Sequence, residues 1–316
     1  MRIIRRWLNP SLRWRGSRSL GLALATTGCL SWVAATKFKE AIFVTGNPAD
    51  VQAPNKPSAA ADSRYPLEAY ESFGQLFCRT LKDRAREVMD LAPLAMVSPC
   101  DCTVSVAGVV SGDRVPQVKG ATYSLKAFLG VTPQARENHK LMYCVLHLAP
   151  HHYHHFHAPC NFSQTVRRHM HGECLPVFRS FLSRFNDIFS VQERVVLSGS
   201  WAGGSLHLGA VAACNVGNIR LEKEPDLTTN QDRVVLRHLG GDVEIKTFRD
   251  KPLDFEVGAH VGEFRLGSTI VLVFEAPQDF EFSVAAGDKI VAGSRLGGVG
   301  PPVVAKDAES RKFLHY

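Results

Sequence analysis

The sequence predicts an α+β fold dominated by antiparallel β-structure, a barrel- or sandwich-like core with a few helices behind an N-terminal leader and membrane anchor. Three observations carry that prediction. Short β-branched runs recur from Met96 onward, separated by Gly, Pro and Asp turns. No run alternates with a long helical pattern, which excludes a doubly wound parallel sheet. The composition, 45% hydrophobic and 21% charged, suits a chain that buries a core.

In chain order, residues 1–19 are Arg-rich, carry serines and lack acids, the composition of a mitochondrial presequence. Residues 20–36 (LGLALATTGCLSWVAAT) are uncharged and read as a membrane anchor, at the lower limit of the roughly 17–25 residues a spanning helix needs. A signal-peptide core or a stretch lying on the membrane is the blander reading. Residues 37–63 are a linker, rich in Pro, Ala and Ser from residue 48 onward. The body, 64–316, follows. Its first segment places Leu67, Tyr70, Phe73, Phe77, Leu81 and Val88 at helical spacing, which predicts one amphipathic helix. A second helix is predicted over 174–188. Strands are predicted at 101–110, 141–148, 194–201, 209–217, 242–248, 268–275 and 288–296.

The formal charge of +7 comes from 37 Lys+Arg against 30 Asp+Glu, but it is unevenly placed. Six Arg plus Lys37 and Lys39 precede the first acid, Glu40; without those eight, 29 basic residues face 30 acidic ones. A nucleic-acid binder needs its positive charge on the folded surface, so that class is excluded. Eight Cys without a Cys-x-x-Cys pair do not form a disulfide scaffold in a chain of this length.

Six of the 13 histidines fall in His147–His157 (HLAPHHYHHFH). Imidazoles ligate zinc and copper, but Pro150 and Pro159 bracket this run and discourage a regular helical metal face. No His-Glu-x-x-His or Cys pair completes a closed site. Proton chemistry by one or two of these residues is the preferred reading, and no metal is assigned. SGSWAGGS around Ser200 is not a Gly-x-Ser-x-Gly elbow, and neither a Walker loop nor a dinucleotide fingerprint is present. Asn161-Phe162-Ser163 reads as a chance glycosylation sequon.

Arg265-Leu266-Gly267-Ser268-Thr269 leads into an apolar strand. Gly-Ser-Thr there is ordinarily a turn, yet one reaction needs the pair. A deprotonated Ser268 can attack the unhindered Gly267 carbonyl, converting the peptide to an ester. Elimination across the Ser268 Cα–Cβ bond then splits the chain, and hydrolysis leaves a pyruvoyl group on the new N-terminus. The base should be a histidine oriented by a carboxylate, and the chain offers His157 and Asp101.

These segments together resemble the phosphatidylserine decarboxylase family, most closely its mitochondrial, membrane-anchored kind. The resemblance runs from about Phe77 to Gly298. It rests on Phe77-Cys78-Arg79-Thr80-Leu81-Lys82 with Arg86, on Val97-Ser98-Pro99-Cys100-Asp101, and on Gln117 to Leu125 (QVKGATYSL) ending at Leu129-Gly130. Leu148-Ala149-Pro150, Tyr153-His154 and Phe156-His157-Ala158-Pro159 resemble the family's two-histidine motif. Glu193-Arg194-Val195, Asn215-Val216-Gly217 and Leu266-Gly267-Ser268-Thr269 follow in the family's order.

The resemblance implies that Asp101, His157 and Ser268 are the self-processing triad and that His154 lies in the active site. It implies cleavage between Gly267 and Ser268 into a chain ending at Gly267 and a piece of 49 residues (268 through 316) that starts with a pyruvoyl cofactor. The implied substrate is phosphatidylserine in a membrane, and the implied partners are the two cleaved chains and a second copy in a homodimer. The implied place is the mitochondrial inner membrane with the catalytic domain in the intermembrane space, the alternative being an ER or secretory membrane. His157 or His154 would supply a proton in turnover, and Asp101 would fix the His157 tautomer. Cys102, His152, His155, Gln192, Val257 and His260 depart from the family's usual residues, and His151, His152 and His155 keep an accessory metal open. The alternatives are a metal-dependent hydrolase built on His147–His157 and a noncatalytic lipoyl- or biotinyl-like β module, suggested by Ala286 to Gly293 (AGDKIVAG).

Overall fold

A computed structural model of the chain describes residues 62–118, 121–175, 177, 182–213, 218–230, 243–265, 268–304 and 310–315. The chain divides into a unit Met1–Asp50, outside those residues, and a unit Val51–Tyr316 that holds all that follows. The expected presequence, anchor and nearly all of the linker therefore lie outside the described residues, as does the 267 side of the expected cleavage site. Among the described residues no helix is long and apolar enough to cross a membrane.

A 3-10 turn, Leu67–Ala69, and helix α1 (Phe73–Phe77) open the body. Strands β1 (Ala95–Val97), β2 (Cys102–Val109), β3 (Arg114–Val118) and β4 (Ala121–Ser124) follow, then helix α2 (Leu125–Leu129). Next come β5 (His139–Leu148), β6 (His155–His157), β7 (Phe162–Met170), helix α3 (Ile188–Val191), β8 (Arg194–Trp201), β9 (Gly204–Ala212) and β10 (Ile219–Leu221). The chain finishes with β11 (Val243–Thr247), β12 (Leu253–Phe255), β13 (His260–Phe264), β14 (Ser268–Pro277), β15 (Glu281–Phe282), β16 (Lys289–Ile290) and β17 (Arg295–Gly298). The main sheet runs β11-β7-β8-β9-β14-β5-β2-β16, with β12 also on β7, and every pairing between these strands is antiparallel. The predicted β-rich α+β fold is what the structure holds.

Side chains alternate across a strand, so β14 shows how the sheet is used. Ile270, Leu272 and Phe274 face one core with Leu146, Leu208 and Phe280; Val271 and Val273 face a second with Tyr123, Phe128 and Phe189. Both faces are dry, so the strand reads as an unbroken apolar run. It is flanked by β5 along its whole length and by β9 from Ser268 to Phe274. All five residues of β11, at the sheet edge, are exposed.

One expected helix differs from what is found, and the other lies partly outside the described residues. The helix over 67–88 breaks after Phe77. Arg79 and Arg86 are 3% and 7% exposed, and their guanidiniums reach interior acceptors that a continuous helix would not let both meet. Leu81 instead bridges to Ser63. The apolar spacing there records separate anchors, not a helical face. Of the stretch 174–188, residues 176 and 178–181 lie outside the described residues, Leu182 is helical, residues 183–187 are not, and the one-turn α3 starts at Ile188. The predicted strand 288–296 is two: β16 joins β2, while β17 pairs with β1 and β15. The lipoyl-like turn is thus an integral edge of the main sheet.

Candidate active site

The histidine run leaves the sheet at Leu148, whose cross-strand neighbour is Ser268, the first residue of β14. Pro150 cannot donate to a ladder, and the chain turns there before forming β6, which pairs with β13 in the three-stranded sheet β10-β13-β6. Gly262 of β13 stands opposite Phe156, where a Cβ would collide with the Phe156 ring and the Arg220 carbonyl. Phe156 is held so, and its neighbours His155 and His157 turn to the other face of β6. The His157 backbone N–H donates to the Pro99 carbonyl at 2.8 Å, which brings the Pro99–Asp101 loop alongside.

His154 and His157 are both fully buried. Nδ1 of His154 lies 2.8 Å from the His152 carbonyl, and Nδ1 of His157 lies 3.0 Å from the Gly258 carbonyl. A carbonyl only accepts, so each Nδ1 carries the proton and each Nε2 presents a lone pair. Nε2 of His157 meets the Tyr153 hydroxyl at 2.9 Å. Nε2 of His154 is buried with no hydrogen-bond partner among the described residues, and its ring lies against Phe77 with centroids 3.8 Å apart. Burial, above all, holds both imidazoles well below their ordinary pKa. They rest neutral at pH 7, as bases.

Asp101 is 2% exposed and gripped on both oxygens: Arg86 Nε donates to Oδ1 at 3.0 Å and Arg86 Nη2 to Oδ2 at 2.7 Å, with Ala292 N adding 2.9 Å to Oδ1. The structure thus differs from the expected orienter: the Gly258 carbonyl, not Asp101, stands at His157 Nδ1. The physical reason is the guanidinium, which saturates the carboxylate in bidentate geometry. Gly258 itself sits at φ 83, a left-handed backbone that aims its carbonyl and favours glycine.

Around this pair, His155 stacks on Tyr153 at 5.0 Å and 6°, and its Nδ1 is 2.9 Å from His260 Nε2. His155 is pushed down to about 4 by burial and His152 to about 3, burial again leading. His152 Nδ1 accepts from Ala149 N at 3.1 Å. The two departures His155 and His260 therefore meet each other. The Cys78 thiol is raised to about 11, chiefly by burial, so it is no thiolate rival to a serine hydroxyl at neutral pH.

The structure brings His154, His157 and the Asp101 loop together and places Ser268 at the head of the central strand; Gly267 lies outside the described residues. Tyr153, Arg86 and Gly258 are the groups whose parts were not assigned from sequence. Tyr153 and Arg86 were within the quoted motifs, but a backbone carbonyl such as that of Gly258 leaves no residue-type signal.

Fold and site together define a class: an antiparallel-β protein built around a dry acid–base centre of neutral imidazoles and an ion-paired carboxylate. The sequence pattern of the family described as phosphatidylserine decarboxylase matches residues 73–298. The chain is 58% identical over 255 residues to the mitochondrial phosphatidylserine decarboxylase proenzyme 1 of Toxoplasma gondii, a match covering 80% of this chain and 60% of that one. It is 40% identical over 254 residues to the phosphatidylserine decarboxylase proenzyme of Plasmodium knowlesi, covering 79% and 70%. With the mitochondrial proenzyme of Cricetulus griseus it shares 39% over 254 residues, covering 74% and 61%. The chain belongs to the phosphatidylserine decarboxylase family.

Proposed function

We propose that this chain is the proenzyme of a pyruvoyl-dependent phosphatidylserine decarboxylase, which cleaves itself between Gly267 and Ser268 and then converts phosphatidylserine to phosphatidylethanolamine and CO₂. The observation that carries the reading is the pair of buried imidazoles locked as Nδ1–H tautomers, one Nε2 facing Tyr153 and the other without a partner among the described residues. Self-processing needs a neutral base in a dry site, and His157 has those properties. In maturation, Ser268 Oγ gives its proton to His157 and attacks the Gly267 carbonyl. Elimination releases Gly267 as a carboxylate, and water replaces the amino group of the residue left at 268, liberating ammonia. Asp101 completes the set from the loop that His157 N–H is bonded to.

The orphaned Nε2 of His154 is the fit one expects where a further polar group is to be held, and it is assigned to turnover. The pyruvoyl group, when formed, supplies an electron sink for decarboxylation. His154 and His157, both neutral at rest, hold and return protons at Nε2, each acting as an acid only after it has first acted as a base.

Cleavage at 267–268 need not release the smaller piece. β14 would remain hydrogen-bonded to β5 and β9 and packed on both faces, which supports two chains staying in one body. The mitochondrial names of several relatives support placement in that organelle. An inner-membrane anchor at 20–36, a catalytic domain facing the intermembrane space and a homodimer complete the proposal. The test is Ser268→Ala, which should stay one chain and release no CO₂ from phosphatidylserine. A split or active variant would end this reading.

A further inference from the structure

A cluster on the far side of the ladder takes no part in the site above. His169 is the penultimate residue of β7 and His171 lies just past the strand's end, with the two rings in contact. Glu244 of β11 is the cross-strand neighbour of His169 on β7 and joins them. The two imidazole rings lie 4.0 Å apart between centroids, tilted by 54°. One ligand atom from each of His169, His171 and Glu244 falls within 4.8 Å of the other two, and His169 Nδ1 is 3.9 Å from Glu244 Oε2.

The decisive feature is how His169 is held. It is 0% exposed, and its Nδ1 has no hydrogen-bond partner among the described residues. Its Nε2 lies 2.8 Å from Glu193 Oε1. The carboxylate accepts, so Nε2 carries a proton, and Nδ1 is the nitrogen left facing Glu244, free to ligate once it holds no proton. A carboxylate behind an imidazole, fixing its tautomer and raising its basicity, is the recurring support of metal-bound histidines. Glu193 is itself fixed, accepting from Gly172 N at 2.7 Å and Asn230 N at 2.8 Å. Glu244 Oε1 accepts from Arg167 Nη1 at 2.8 Å, which leaves Oε2 on the histidine side. Glu193, Glu224 and Glu244 against Arg167 and Lys246 leave the neighbourhood able to take up a cation's charge.

We propose that His169 Nδ1, His171 and Glu244 Oε2 form a site for a borderline divalent transition metal of the zinc class, with a coordination position open to water. Two imidazoles and one carboxylate suit zinc, whereas calcium and magnesium call for all-oxygen shells. The metal would tie β11 to β7 and pin an exposed edge strand that few apolar contacts hold.

The test is zinc retention by the untagged full chain after loading and passage through metal-free buffer, read by elemental analysis. The expected result is about one tightly held zinc per chain in the unaltered protein, nearly lost in His171→Ala. Glu244→Gln, a near-isosteric change at a half-exposed side chain, should weaken zinc by on the order of tenfold or more and remove the zinc-dependent rise in melting temperature. Calcium should not be retained. No retained zinc in the unaltered chain overturns the site, and so does equal retention in both variants, which would move the metal to another place such as the His147–His157 run.

Discussion

Replacing Arg86 by Met tests how the acid–base centre is held together. Asp101 would keep its burial, 2% exposed, but lose both guanidinium bonds and retain only Ala292 N. A buried carboxylate stripped of its cation costs about 3–5 kcal/mol. Asp101→Asn should cost less, about 1–3 kcal/mol, because Arg86 keeps Asp62 at 2.8 Å and the remaining side chain is uncharged. The double variant leaves no unpaired charge at position 101, so its cost should fall below the sum of the singles by about 2 kcal/mol or more. The experiment is urea unfolding followed by tryptophan fluorescence, with each variant built on Ser268→Ala so that one polypeptide unfolds. An Arg86→Met cost under about 1 kcal/mol, or an additive cycle, would refute the claim that this pair is a dry, coupled anchor.

Two further expectations concern the histidines. His152 and His155, depressed by burial to about 3 and about 4, stay neutral in the folded chain while the unfolded chain takes up protons below its ordinary value near 6.5. Their stabilisation is therefore complete above that value and lost as pH falls toward 4; each should cost about 2 kcal/mol between pH 7 and pH 5. Urea midpoints at the two pH values check this, and equal stability would contradict it. His154→Ala should still cleave yet decarboxylate about 10²–10⁴-fold more slowly, measured as CO₂ release from phosphatidylserine vesicles. A variant that failed to cleave would instead put His154 in the processing step.

Strands that bury both faces were legible, because their residues are apolar whichever way they point. β8 was expected at 194–201 and is found at Arg194–Trp201, and β14 begins at Ser268 as expected. β6 and β13 were not, since His-Phe-His and His-Val-Gly-Glu-Phe carry no apolar alternation and become strands by tertiary pairing, β6 with β13 and β13 also with β10. β7 was hidden by Arg167, Arg168 and His169, two of which are buried beside Glu224, Glu244 and Glu193 that lie far off in sequence. The helix expected over 67–88 failed for the converse reason: buried arginines outweighed a periodic apolar pattern. At the site, residue types announced His154, His157 and Asp101, but no pattern could reveal that backbone carbonyls fix the tautomers.

Intact mass of the natural polypeptide bears most directly on the central proposal. The account predicts two species, one ending at Gly267 and one spanning residues 268–316, the latter lighter than a serine-ended piece by the elements of ammonia and refractory to stepwise N-terminal degradation. A single unbroken species from a preparation that forms phosphatidylethanolamine would contradict it.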